Sequence, residues 1–337
     1  MKAAVLYETG GPDIFKLEDA PIPKPKETQI LLKVAGAGMC GHDQADRMGL
    51  THVAKPVILG HEISGTVVEV GSQVRDFKVG DRVATKQFAV CGRCLYCRSG
   101  RDTLCVKRGM GGGNHGGYGE YTAVEDESAA IVPDNVDLVG ASIIACAAGT
   151  CWRALKVIAK VQKGENVVVT GAGGGLGIHG IQLVKVLGGR AIAVTSSADK
   201  VEKLKEVGAD EVVLGQGNYQ DKIMEVTDGK GADVVLDNVG APTFGPCFRA
   251  LARYGRYVFA GQVSRDRLEV YPFFIFSKEC IITGSATTRR YEFLECLDLA
   301  AQGKLKPMYQ SYPLTQIARA FGDMDNRRIF GRGVLVP

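Results

Sequence analysis

"VVVTGAGGGLGIHGIQLVKVLGG", residues 167–189, decides the fold. "ENVVVT" (165–170) reads as a buried strand, a glycine turn follows, and Leu176 to Leu187 reads as a helix. A strand, a tight turn and a helix N-terminus form the setting in which a dinucleotide pyrophosphate is held. The strict G-x-G-x-x-G spacing fails by one residue, since in the frame ending at Gly177 its first position is Ala172. Gly171, Gly174 and Gly177, with Gly173, Gly175 and Leu176 between them, still allow a sharp turn, close backbone approach and free N–H groups for an anion.

Downstream the pattern repeats. "AIAVT", "EVVL", "ADVVLDNVG", "RYVFAG" and "CIITGS" alternate with helical stretches, giving six strands between residues 165 and 285. Such alternation predicts a parallel sheet wrapped by crossover helices. Strand ends line the ligand crevice in sheets of this kind. That places Asp237, Asn238 and Val239, and Val258 to Gly261 with Ala260 among them, at the coenzyme. The second strand ends in Thr195, Ser196 and Ser197, with Lys200 nearby, where an acidic residue would mark binding of an unphosphorylated ribose. Hydroxyls and a lysine favour NADP(H); NAD(H) stays open if Asp199 merely caps the next helix.

Upstream, "QILLKVAGAG", "GTVVEVG", "DRVAT" and "GEYTAVED" read as short strands between glycine or acidic turns, joined by the proline-punctuated "PIPKPK" (21–26). The fold class is therefore α/β plus β. An antiparallel β domain occupies residues 1–149, a doubly wound coenzyme domain 150–285, and a tail of one helix and short strands, 286–337, returns to the first domain.

Lys+Arg 41 against Asp+Glu 37 leaves a net charge of +4, scattered along the chain, so nucleic acid and membrane surfaces are not implied as partners. No apolar run is long enough to span a bilayer. The first residues read as a strand, not a signal peptide, and ten cysteines then suggest a reducing, cytoplasmic compartment. Glycines between 109 and 119 read as a mobile or tightly folded loop.

"CGRCLYCRSGRDTLC" sets Cys91, Cys94, Cys97 and Cys105 on one polar loop, a spacing that closes tetrahedrally around a structural zinc. A second set is scattered: Cys40 in "AGAGMCGHDQADRMGL", His61 and Glu62 in "LGHE", and Cys146 in "IIACAAGTCWRAL". Two thiolates, an imidazole and an open position would make a catalytic zinc site. By themselves these residues read equally well as ordinary buried side chains.

Taken together, "GHEISGTVVEVG" (60–71), the four-cysteine lobe, "GGYGEY" (116–121) and the "GAGGGLG" turn resemble the medium-chain zinc-dependent alcohol dehydrogenase family from end to end. The resemblance implies a GroES-like domain and a Rossmann domain flanking an active cleft, two zinc ions per chain and a homodimer or homotetramer. It assigns the catalytic zinc to Cys40, His61 and Cys146 and the structural zinc to Cys91, Cys94, Cys97 and Cys105. Asp43 and Glu62 match carboxylates behind the metal, and Thr150 matches a residue against the nicotinamide. The expected reaction is hydride transfer between a nicotinamide and an alcohol, aldehyde or ketone.

Two departures bear on the chemistry. His42 stands where relatives carry the Ser or Thr that takes the alcohol proton, and Ala45 stands where they carry a relay histidine. His42 is then the candidate relay. "VTSS" and "CAAGTCWRAL" also resemble zinc-poor quinone and enoyl-CoA reductases, which reduce an activated C=C bond with NADPH; a non-catalytic relative is the remaining alternative. Arg332 in the returning tail is a candidate for the pyrophosphate or for the surface. Phe88, Trp152 and "YPFFIF" (271–276) suggest a pocket wall, core or subunit interface. Cys151, Cys247, Cys280 and Cys296 read as small buried residues, Met39 as core and His179 as packing near the first turn of its helix, while His52 and His115 receive no role.

Overall fold

The computed structural model describes residues 1–107, 109–110 and 116–337, so that Gly111 to Gly113 and His115 lie outside the described residues. Two compact units emerge: Met1–Cys146 with Thr287–Gly303 and Pro307–Pro337, and Ala147–Ala286 with Lys304–Lys306. The division falls at Cys146/Ala147 instead of after residue 149, because the helical turn Gly149–Trp152 packs on the helix Gly175–Val186 of the second unit.

In the first unit a seven-stranded sheet runs in the order Ala129–Ile131, Arg82–Thr85, Glu62–Val70, Gln29–Met39, Arg332–Val336 and Tyr309–Pro313, with Tyr121–Glu125 also paired to Gln29–Met39. All its pairings are antiparallel except that of Tyr309–Pro313 with Arg332–Val336. Ile30, Leu32, Ile63, Val67, Tyr118 and Phe321 fill its core. The register decides the site. Gly38 pairs with Glu62 and Gly333 with Met39. One strand therefore ends, and two begin, at the same corner of the sheet, delivering Cys40, His61 with Glu62, and Arg332. A side chain on Gly38 would collide with the Glu62 carboxylate, so close approach explains that glycine.

The second unit is a six-stranded, wholly parallel sheet. Its spatial order is Glu211–Leu214, Arg190–Thr195, Asn166–Val169, Ala232–Asp237, Leu251–Phe259 and Ile281–Gly284. In chain order this is 3-2-1-4-5-6, the Rossmann arrangement, whose direction of winding reverses between Asn166–Val169 and Ala232–Asp237. Val168, Ile192, Val235, Phe244 and Tyr257 anchor the core. The glycine turn opens the helix Gly175–Val186, and a Cβ on Gly177 would strike Gly171 and Ala172.

The aromatic run is divided, with Phe274 and Ile275 packed against the core of this unit and its other aromatic rings outward. It forms the short helix Pro272–Lys278, with Tyr271, Phe273 and Phe276 exposed at 64%, 52% and 66%. Cys151, Cys247, Cys280 and Cys296 are buried, as is Met39. His179 Nδ1 lies 2.6 Å from the carbonyl of Gly175 in its helix's first turn.

Candidate active site

Cys40 closes the strand Gln29–Met39 and caps the helix Gly41–Arg47. Cys146 lies in a π-helical turn, Ile144–Ala148, a widened turn that often marks functional positions. Cys40 Sγ is 3.9 Å from Cys146 Sγ, which is 3.8 Å from His61 Nε2. One donor atom from each of Cys40, His61, Glu62 and Cys146 lies within 4.8 Å of the others. Thiolates at the usual zinc–sulfur bond length stand about 3.8 Å apart on a tetrahedron, so this spacing fits zinc.

Asp43 is fully buried and joins two of these donors. Its Oδ1 is 3.2 Å from His61 Nδ1, and its Oδ2 accepts from the Cys40 backbone N–H at 2.9 Å. A proton held on Nδ1 leaves the Nε2 lone pair facing the cluster. Burial opposes charge on His61, but the charge and hydrogen bond of Asp43 override it and lift the imidazole well above its ordinary pKa.

The thiols divide the work. The hydrogen bond from Cys146, helped by Arg332 and His61 against the effect of burial, holds Cys40 well below the usual thiol range. The same bond and burial push Cys146 up. A divalent ion would displace the proton that remains.

Glu62 is pushed up to about 7 by burial, against the opposing pull of Arg332. Arg332 Nη2 lies 2.8 Å from Glu62 Oε1, an ion pair between two buried side chains. Arg332 is therefore not at the surface but buried beside Glu62.

In the lobe, Cys94 and Cys97 sulfurs are 3.5 Å apart, as are those of Cys91 and Cys105. All four donors form a second set within 4.8 Å. The backbone N–H of Cys97 holds Cys94 down to about 6, which favours a metal-ready thiolate.

In the parallel-sheet unit, Thr195 is buried and accepts from Ser197 N at 3.2 Å. Ser196 is exposed. The buried Lys200 runs its stem over the turn, 2.7 Å from where a Cβ on Gly173 would stand. Asn238 and Val239 follow the fourth strand, Ala260 and Gly261 the fifth, and the last two donate backbone N–H groups to the Asp237 carbonyl. Thr150 is buried in the turn Gly149–Trp152.

Residues 26–134 match the family described as alcohol dehydrogenase GroES-like domain, and residues 175–302 match zinc-binding dehydrogenase. An NAD-dependent alcohol dehydrogenase of Sulfurisphaera tokodaii is 36% identical over 100% of both chains. The chain belongs to the medium-chain zinc-dependent alcohol dehydrogenase family.

Other relatives show how far the family's chemistry ranges. An acryloyl-coenzyme A reductase of the same organism is 35% identical, covering 91% of each chain. A solved NAD-dependent alcohol dehydrogenase structure superposes with a TM-score of 0.94 at 32% identity, covering 100% of both. The chain is thus an NAD(P)-dependent oxidoreductase with a GroES-like domain, a Rossmann domain and two zinc-binding donor sets.

One of its residues is unmarked in the sequence, and a second faces another way than its strand-end position suggests. Tyr118 is fully buried, and its hydroxyl donates to the Gly38 carbonyl at 3.4 Å. Burial and then the charge of Asp43 raise its phenol well above the ordinary value. Asp237 was placed at the crevice, but its carboxylate faces inward and is 0% exposed. Nothing in the local spacing distinguishes either residue from an ordinary strand-end side chain.

Proposed function

We propose that the dehydrogenase interconverts an alcohol and its aldehyde or ketone, exchanging hydride with NADP(H). The observation that carries this reading is the buried donor set of Cys40, His61 and Cys146, with Asp43 behind it. Zinc held there supplies a Lewis acid for the negative charge that develops on the substrate oxygen. Asp43 keeps the His61 ring oriented, and the buried surroundings keep competing water away from the donors.

His42 carries the proton between substrate oxygen and solvent. It is exposed in the first turn of Gly41–Arg47, its ring centre 6.1 Å from that of His61 and turned edge-on at 80°. An imidazole suits a proton relay near neutral pH. The glycine turn, with Gly171, Gly173 to Gly175, Leu176 and Gly177, receives the pyrophosphate at the N-terminus of a 12-residue helix. Ser196, Ser197 and Lys200 take the 2′-phosphate, Thr150 packs against the nicotinamide, and Val239, Ala260 and Gly261 line the crevice.

Reduction of an activated C=C bond is the second reading. It is favoured by the similarity to an acryloyl-coenzyme A reductase and by His42 in place of the usual hydroxyl.

The chain works as a homodimer or homotetramer, paired through the sheet edge at Ile281–Gly284. Among the described residues that strand has one neighbour, and Ile281 on it is 55% exposed beside the aromatic helix. Ten cysteines in the chain fit a reducing compartment such as the cytoplasm, and among the described residues no helix is long and apolar enough to cross a membrane.

The deciding experiment counts zinc per purified chain, then strips the labile metal and follows alcohol oxidation with NADP+ and NAD+. Two zincs, with oxidation lost as one leaves, uphold the reading. One zinc, with NADPH-dependent reduction of an enoyl thioester untouched by the chelator, replaces it with the second.

A further inference from the structure

Where the winding of the parallel sheet reverses, a cluster of buried polar groups ties three neighbouring strand ends together. Among the described residues Asp237 has no charged partner in contact. Its Oδ1 accepts from Thr170 Oγ1 at 2.6 Å, Thr243 Oγ1 at 2.9 Å, Val239 N at 3.0 Å and Gly240 N at 3.1 Å. Its Oδ2 accepts from Tyr257 OH at 2.7 Å. A buried carboxylate is tolerated when donors surround it in this way, and they leave it little freedom to move.

The next residue inherits that rigidity. Asn238 donates its backbone N–H to Thr170 Oγ1 at 3.0 Å and its Nδ2 to the Thr170 carbonyl at 2.9 Å. Reversing the amide would set oxygen against oxygen, so the orientation is fixed. Asn238 Oδ1 is then a buried acceptor without a hydrogen-bond partner among the described residues. Such an atom costs stability unless something donates to it. It also stands beside the turn: Thr170 immediately precedes Gly171, and a Cβ on Gly171 would lie 3.7 Å from Asn238 Cβ.

We infer that Asn238 Oδ1 accepts a hydrogen bond from a ribose hydroxyl of the bound dinucleotide, and that Asp237 is the positioning residue that aims it. The inference rests on the coenzyme reading above and adds the group that is recognised. A pyrophosphate offers no donor. The adenine belongs beyond the second strand, whose end carries Thr195 to Ser197, on the other side of the glycine turn. The hydroxyls of a ribose flanking the pyrophosphate are the donors left at the reversal point.

The test uses the zinc-loaded full chain and reduced dinucleotide, with binding followed by fluorescence. Coenzyme analogues lacking one ribose hydroxyl at a time, and one with the carboxamide replaced by an acetyl group, complete the series. Asn238→Ala is expected to bind the parent coenzyme about tenfold more weakly, with an unchanged thermal transition. With one deoxy-ribose analogue, wild type and variant should bind alike. Asp237→Asn should weaken binding in the same range and add little in the Asn238→Ala background.

Equal preference of both proteins across the whole ribose series overturns the inference, as does a penalty that vanishes only with the acetyl analogue. If Asp237→Asn does not fold, the Asn238→Ala series still decides the ribose contact. A wild type that binds no dinucleotide overturns the coenzyme reading itself; one that binds but shows no Asn238 effect overturns this inference alone.

Discussion

Cys91 and Cys105 are 14 positions apart, whereas Cys40 and Cys146 are separated by 106. The first set is all sulfur, held by a loop on which Leu95, Leu104 and Val106 are exposed. The second mixes sulfur, nitrogen and a nearby carboxylate, and stands where three strand ends meet. Local spacing is enough to build a closed structural site. A site that must keep one direction open for substrate needs donors placed by tertiary structure, with neighbours to orient them.

That contrast can be broken by substitution. Cys40→Ser should cost at least about 10³-fold in kcat/KM, with the circular dichroism spectrum unchanged and one zinc lost. His42→Ala comes next, at about 10²-fold in kcat, with zinc content intact and partial rescue by added imidazole. Retention of full activity would remove His42 from the relay. Asp43→Asn should weaken zinc retention 10–100-fold in a chelator competition, because the imidazole loses the carboxylate that fixes its tautomer. Cys97→Ser should have the smallest effect on activity per folded chain, under about twofold, while lowering Tm by about 10 °C and removing the other zinc. A large activity loss from Cys97→Ser at unchanged Tm would erase the distinction between the two sites.

The same contrast explains what the sequence allowed to be read. The lobe and the glycine turn are short, and their chemistry follows from adjacent residues; so does the run of six strands, since a parallel sheet repeats its pattern. Cys40, His61 and Cys146 make only a weak group without the family resemblance, because strand register and the helical turn at Ile144–Ala148 bring them together. Arg332 was left between pyrophosphate and surface, and its place beside Glu62 depends on a pairing across the whole chain. The inward turn of Asp237 was equally hidden, since a strand-end carboxylate can face either way until Tyr257 and Thr170 are in place. "YPFFIF" misled by composition, for apolar residues on a short surface helix look the same in sequence as a buried one.

The strand Arg332–Val336 lies between Gln29–Met39 and Tyr309–Pro313 in the sheet of the first unit. On a growing chain it is made after every residue of the parallel sheet. The cysteine lobe closes a short loop and has all its donors as soon as residue 105 emerges, at small entropic cost. The Cys40 corner must wait for its last neighbour, so the two metal sites would mature at different moments in synthesis. A nascent chain halted before residue 332 should hold its lobe zinc while its other donor set lacks the Arg332 that faces Glu62.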